Sequence, residues 1–183
     1  MKIRDGTTID AADLARIYNH YVLHSHATFD TEPETVEGRR QWIQQFRRDS
    51  PHRLLVAIDE HGTIGYAASL RYRDHPAFDR TVEFSTYLDP DATGQGVGTA
   101  LYTALLAHLQ HQPVDVAVAG IALPNDASVA LHHRVGFTDV GIFTGYATKA
   151  GRPISSIWVQ RAIRDTDTGD PSSRALPSPC LSG

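Results

Sequence analysis

Glu83 and Tyr87 lie on the same face of a stretch, TVEFSTYL, that runs directly into a turn with glycine at positions 94, 96 and 98. A carboxylate can accept a proton, and a phenol can donate or accept a hydrogen bond. Glycines at a helix start let successive backbone N–H groups converge, and there the unsatisfied amides and the helix dipole favour an anion. A carboxylate and a phenol leading into an anion cradle are more than a structural turn requires. The plainer alternatives are an exposed strand glutamate paired with an arginine, and a glycine-tolerant turn that binds nothing.

The elements that must position these residues are legible around them. Residues 81–88 alternate, with Val82, Phe84, Thr86 and Leu88 on one face and Thr81, Glu83, Ser85 and Tyr87 on the other, which is the strand signal. Asp89-Pro90 stops that strand, and Leu101, Leu105, Leu106 and Leu109 then recur at helical spacing. Upstream, Met1 to Arg4 reads as an edge strand. Asp10 reads as the N-cap of a helix carrying Leu14, Ile17, Tyr18, Tyr21 and Val22. Thr35 caps a second helix with Trp42, Ile43 and Phe46. Residues 53–59 and 63–73 flank Glu60-His61-Gly62 as a hairpin. Downstream, residues 114–123 read as a buried strand, and Pro124-Asn125-Asp126 opens a helix. Residues 140–148 and 154–163 alternate about a turn at Lys149-Ala150-Gly151. This order describes a single α/β domain over residues 1–163 on a mostly antiparallel sheet. Residues 164–183, polar and holding the only cysteine, Cys180, are expected to be a disordered tail.

A chain of 183 residues, 41% of them hydrophobic, is long enough for a real core. Its formal charge of −4 argues against a nucleic-acid surface. The start is charged and no apolar run reaches membrane-spanning length, so we expect neither a secretory signal nor a membrane anchor, and a cytoplasmic location. Histidine pairs such as His24/His26 lack a third ligand, so no metal site is expected.

Taken together, Thr81-Val82-Glu83, the glycine turn, Leu123-Pro124-Asn125-Asp126 with Ser128, and Leu131-His132 before Gly136-Phe137 resemble the GNAT family of N-acetyltransferases. Tyr18-Asn19-His20-Tyr21 and Phe29-Asp30-Thr31-Glu32-Pro33 match its phosphinothricin and methionine sulfoximine acetyltransferases in particular, and the likeness covers residues 2–163. It implies a GNAT fold, an α+β arrangement with a sheet of about six to seven strands flanked by about four helices. It also implies direct transfer of an acetyl group from acetyl-CoA to the amine of a small acceptor, through a tetrahedral intermediate, by a homodimer. An amine is mostly protonated at neutral pH, and Glu83 is the candidate base that frees it. Backbone N–H groups near Tyr87 and Leu88 are the implied oxyanion donors. His132 stands where many members have a tyrosine, and so is the candidate to protonate the CoA thiolate or to position the amine. The stretch Thr93, Gly94, Gln95, Gly96, Val97, Gly98 and Thr99 would take the pyrophosphate, and Asn125 and Ser128 the pantetheine side. Arg73, ten residues before Glu83, would clamp an acceptor carboxylate, with Phe29 and Tyr87 as pocket walls.

Two departures stand out. Thr93 occupies a place where the family usually has Arg or Gln, for which Gln95 is a partial substitute. The subgroup's Lys-x-Gly-x-Trp-x-Asp appears as Lys149-Ala150-Gly151-Arg152-Pro153-Ile154-Ser155. Three rival readings remain. A Rossmann site would need a third glycine at Thr99. A non-catalytic acyl-CoA-binding module would not need Glu83. An acetyltransferase of protein N-termini would have an open groove rather than a closed pocket beside Glu83.

Overall fold

The structure, a computed structural model, describes residues 1–164, so the expectation for the tail lies outside the described residues. Seven strands form one sheet: β1 (Lys2–Asp5), β2 (Leu54–Ile58), β3 (Thr63–Arg71), β4 (Thr81–Leu88), β5 (Val116–Ala122), β6 (Thr138–Lys149) and β7 (Arg152–Ala162). Their order across the sheet is β1-β2-β3-β4-β5-β7-β6. Only β4 and β5 run parallel; every other neighbouring pair is antiparallel. Among the described residues the α-helices are α1 (Ala11–His24), α2 (Val36–Ile43), α3 (Val97–Leu109) and α4 (Asp126–Arg134).

The alternation in β4 is realised as expected. Val82 and Phe84 face α3 and pack with Leu101, Leu105, Ala117 and Ala119. The opposite face of the sheet, with Val56, Tyr66 and Ala68, packs on Leu14 and Ile17 of α1 and Ile43 of α2. Leu101, Leu105 and Leu109 are wholly buried along one face of α3, with Tyr102 and Leu106 buried beside them, while Thr103 and Ala107 on the opposite face are exposed.

The parallel pairing of β4 with β5 is brief. It joins Thr81, Val82 and Glu83 to Val116, Ala117 and Val118 and goes no further. Beyond that point β4 stays paired with β3 as far as Leu88, and β5 with β7 as far as Ala122. The two strands therefore part, and a gap opens in the middle of the sheet with Glu83 at its apex.

Several local expectations are corrected. Asp10 does stand at the N-cap position of α1, but its side chain makes no capping hydrogen bond to that helix. It ends a short 3-10 turn (Thr8–Asp10), and its carboxylate instead accepts from the Thr7 N–H at 2.8 Å and from the Arg4 guanidinium at 2.8 and 2.6 Å. Thr35 does cap α2, its hydroxyl accepting from the Gly38 N–H at 2.9 Å. Phe46 lies past the end of that helix and meets Trp42 edge-on, with ring centroids 4.7 Å apart. β6 starts at Thr138 and forms the outer edge of the sheet, which leaves Val140, Ile142 and Phe143 more than half exposed.

Candidate active site

The gap between β4 and β5 widens into a cavity of about 560 Å³, walled by both strands, the starts of α3 and α4, and the loop after α1. Glu83 is half-buried at the apex, opposite Leu70 on one side and Val118 on the other. It has no ion-pair or hydrogen-bond partner among the described residues, and burial raises its pKa above the ordinary carboxylate value. The alternative of a glutamate neutralised by arginine is thereby removed. Arg71 pairs with Asp74 and Asp79, and Arg80 with Asp115.

At the far end of β4, the Asp89 N–H donates to Ile64 of β3 at 2.9 Å. Successive residues of a strand direct their backbone groups to opposite edges, so the N–H and C=O of Leu88 face the gap. The Tyr21 hydroxyl donates to the Leu88 carbonyl at 2.7 Å, which fixes this end of the strand. Tyr87 lines the cavity and sits among Tyr18, Tyr21 and Tyr66, with centroids 5.0 to 5.7 Å away. Burial pushes its phenol up to about 12, so it stays protonated as a hydrogen-bonding group.

The glycine turn supplies backbone donors. Gly96, at φ +81°, is the N-cap of α3, and Gly94 has φ +73°. An added Cβ would meet nothing at either position, so glycine is required there by conformation and not by space. The first intrahelical bond of α3 is Ala100 N–H to Gly96 C=O, which leaves the N–H groups of Val97, Gly98 and Thr99 without helical partners beside the cavity. Thr93 lines the cavity as well, its hydroxyl donating to the Pro90 carbonyl at 2.9 Å. Gln95 does not line it. Its side-chain amide donates back to the Asp91 carbonyl at 2.7 Å, so it cannot replace the missing side chain at 93.

Across the gap, Asn125 caps α4 by accepting from the Ser128 N–H at 3.2 Å, and both residues line the cavity. His132 is 3% exposed, and both of its ring nitrogens are engaged. Its Nδ1 donates to the Ser128 carbonyl at 2.7 Å, which leaves Nε2 to accept from the Tyr102 hydroxyl at 3.1 Å. Burial lowers its pKa to about 4. A neutral imidazole whose only N–H is committed to a backbone carbonyl is a poor acid at neutral pH. The geometry corrects the expected proton-donor role to one of holding α4 against Tyr102 of α3.

Of the two acceptor residues expected besides Tyr87, Phe29 lines the cavity, is 41% exposed and meets Tyr146 edge-on at 5.9 Å. Arg73 does not line it. Its guanidinium lies exposed over the rings of Tyr72 and Phe78, at 5.0 and 5.3 Å. Sequence reasoning missed Gly120 and Trp158. They are register partners in β5 and β7, and a Cβ on Gly120 would stand 3.1 Å from the indole. Glycine inside a strand signals such a close approach. The Trp158 Nε1 is buried without a partner. Arg134 is also new, and among the described residues it is the one guanidinium lining the cavity.

Comparison with known families decides what this cavity belongs to. The model of the acetyltransferase (GNAT) domain matches residues 3–158. The chain belongs to the GNAT family of acetyltransferases. The glycine turn, the parted β4–β5 pair and the carboxylate of Glu83 all lie within the matched residues. A phosphinothricin N-acetyltransferase of Streptomyces coelicolor is 41% identical over 89% of this chain and 96% of its own length. An L-methionine sulfoximine/L-methionine sulfone acetyltransferase of Salmonella typhimurium is 34% identical, over 87% and 93% respectively. Among solved structures, a phosphinothricin acetyltransferase of Sinorhizobium meliloti in complex with acetyl-CoA superimposes with a TM-score of 0.86 at 28% identity, over 96% of this chain and 95% of that one. No group of three His, Cys, Asp or Glu suited to a metal occurs among the described residues, and no helix there is long and apolar enough to cross a membrane.

Proposed function

We propose that this GNAT enzyme transfers acetyl from acetyl-CoA directly to the amine of a small amino-acid-like acceptor of the phosphinothricin or methionine sulfoximine type. The observation that carries the reading is Glu83: a carboxylate without a partner at the apex of a gap whose other end is lined by free helix-start amides. The names of the two relatives supply the acceptor class.

Each residue has a role in this scheme. The N–H groups of Val97, Gly98 and Thr99 take the pyrophosphate of CoA, helped by the positive end of the α3 dipole. The pantetheine arm lies in the gap, between β4 and the Asn125–Ser128 turn. Glu83 accepts a proton from the acceptor's ammonium group, so the neutral amine can attack the thioester carbon. The Leu88 N–H, directed into the gap, donates to the oxygen that gains charge as the carbon becomes tetrahedral. The C–S bond then breaks, CoA leaves as the thiolate, and the nitrogen gives up its remaining extra proton to that thiolate or to solvent, so the product is a neutral amide. Tyr87 and Phe29 shape the acceptor side.

The test is thiol release from acetyl-CoA across a panel of phosphinothricin, methionine sulfoximine, methionine sulfone, common amino acids, their methyl esters and peptides. Turnover should concentrate on the free amino acids and their analogues. Rapid acetylation of peptides, with none of the amino acids, would replace this reading with that of a protein N-terminal acetyltransferase.

A further inference from the structure

Residues 25–34, between α1 and α2, carry Thr28 and Phe29 to the cavity yet contain no helix or strand of their own. They are held in place from several sides. The Tyr18 hydroxyl is hydrogen-bonded to Thr28 Oγ1 at 2.7 Å and donates to Asp30 at 2.6 Å. The Asn19 side chain donates to the Glu34 carbonyl at 2.8 Å and accepts from the Glu34 N–H at 2.7 Å. These contacts explain why the Tyr18-Asn19 and Phe29–Pro33 motifs occur together: one fastens the other. At the other end, His26 Nε2 lies 2.8 Å from the Pro124 carbonyl at the approach to α4.

The remaining restraint comes from the opposite end of the chain. Lys149, at the tip of the β6–β7 hairpin, directs Nζ to the carbonyls of Ser25 at 2.8 Å and Thr28 at 2.9 Å. Nearby on the same hairpin, Tyr146 meets the edge of Phe29. A lysine kept only for solubility would extend into water, whereas this one is half-buried and gives two of its three donors to one loop.

We infer that Lys149 is a positioning residue for the acceptor pocket. Its ammonium group fastens the loop to the hairpin so that Phe29 keeps its place in the cavity wall. The inference relies on the proposed function only for calling that wall the acceptor side; the restraint on the loop is a separate matter and can be measured separately.

Two readouts on the full-length protein test it, using Lys149→Met, Lys149→Arg and, should Lys149→Met not fold, Lys149→Gln. In substrate-free protein, amide hydrogen exchange over residues 25–31 should quicken about tenfold or more in Lys149→Met, as expected for loss of two charge-assisted bonds, with the sheet unaffected. In steady-state assays the KM for methionine sulfoximine should rise by a similar factor while that for acetyl-CoA stays within about twofold. Lys149→Arg, which keeps the charge and several donors, should recover most of both effects. Unchanged exchange in the loop, or a KM for acetyl-CoA that rises in step with that of the acceptor, overturns the inference. If wild-type protein acetylates no amino acid, the proposed function falls, and the exchange measurement alone decides the role of Lys149.

Discussion

Acidification from pH 7.5 to 4.5 should cost the folded protein about 3 kcal/mol through His132 alone. In the unfolded chain this imidazole titrates near its ordinary value of 6.5; in the folded chain, buried between Ser128 and Tyr102, it titrates at about 4. Between those values the unfolded chain binds a proton that the native state refuses. Stability from this group is therefore complete above pH 6.5, falls as pH drops toward 4, and declines no further below. The slope within the window is about 1.4 kcal/mol per pH unit, roughly one proton's worth. Urea unfolding followed by the fluorescence of Trp42 and Trp158 at pH 7.5, 6.5, 5.5 and 4.5 gives the slope for wild type. His132→Gln gives the slope without His132, while His52, whose pKa burial also lowers, and Glu83, whose pKa burial raises, contribute equally to both proteins. Asp5, Asp10 and Asp89, whose pKa values are lowered by ion pairs, titrate below this window and contribute little to the difference. Parallel pH profiles for wild type and variant, or an NMR titration of His132 with a midpoint near 6, would refute the argument. The latter would also restore His132 as a candidate acid.

Glu83→Gln should fold and bind acetyl-CoA but lose about 10² to 10⁴ in kcat, and the acidic limb of the pH–rate profile should vanish with the carboxyl group. Because burial raises the Glu83 pKa, that limb in wild type should lie above the ordinary carboxylate range; stopped-flow or steady-state rates from pH 5 to 9 will show it. At the glycine turn, Gly96→Asp and Gly96→Asn share the strain of a positive φ but differ in charge. Calorimetry should find the aspartate variant at least about tenfold weaker for acetyl-CoA than the asparagine variant, and equal affinities would displace the pyrophosphate from this helix start. Thr35→Ala removes the α2 cap and should lower stability by about 1 kcal/mol, near 3 °C in a thermal melt.

The parts of this molecule that were legible in the sequence are those set by neighbours along the chain. The alternation of residues 81–88, the cap at Thr35, the glycines at 94 and 96 and the turn at 149–151 each need only local chemistry, and each was located. The place of Glu83 on the strand that leads into the turn could be read because strand and turn are contiguous. What failed depended on distant partners. Asp10 does hold the N-cap position of α1, but Arg4 claims the carboxylate that was expected to cap it. His132 kept its place in the family pattern, and only the packing of α3 on α4 reveals Tyr102 at its second nitrogen. Arg73 has suitable spacing before Glu83, but the chain between β3 and β4 turns it out over Tyr72 and Phe78. The separation of β4 from β5 left no trace, because both segments read as continuous strands and only pairing partners mark where the ladder stops.

That short ladder also divides the sheet mechanically. On one side stand β1, β2, β3 and β4, and on the other β5, β7 and β6; three residue pairs are all that join the two halves within the sheet. Any rocking of one half against the other pivots about those rungs, so it widens or narrows the far end of the gap while displacing its apex least. Glu83 is the last residue on the pivot. Its backbone is held by a neighbouring strand on each side, whereas Leu88 and Ala122, at the open end, are each held on one side alone.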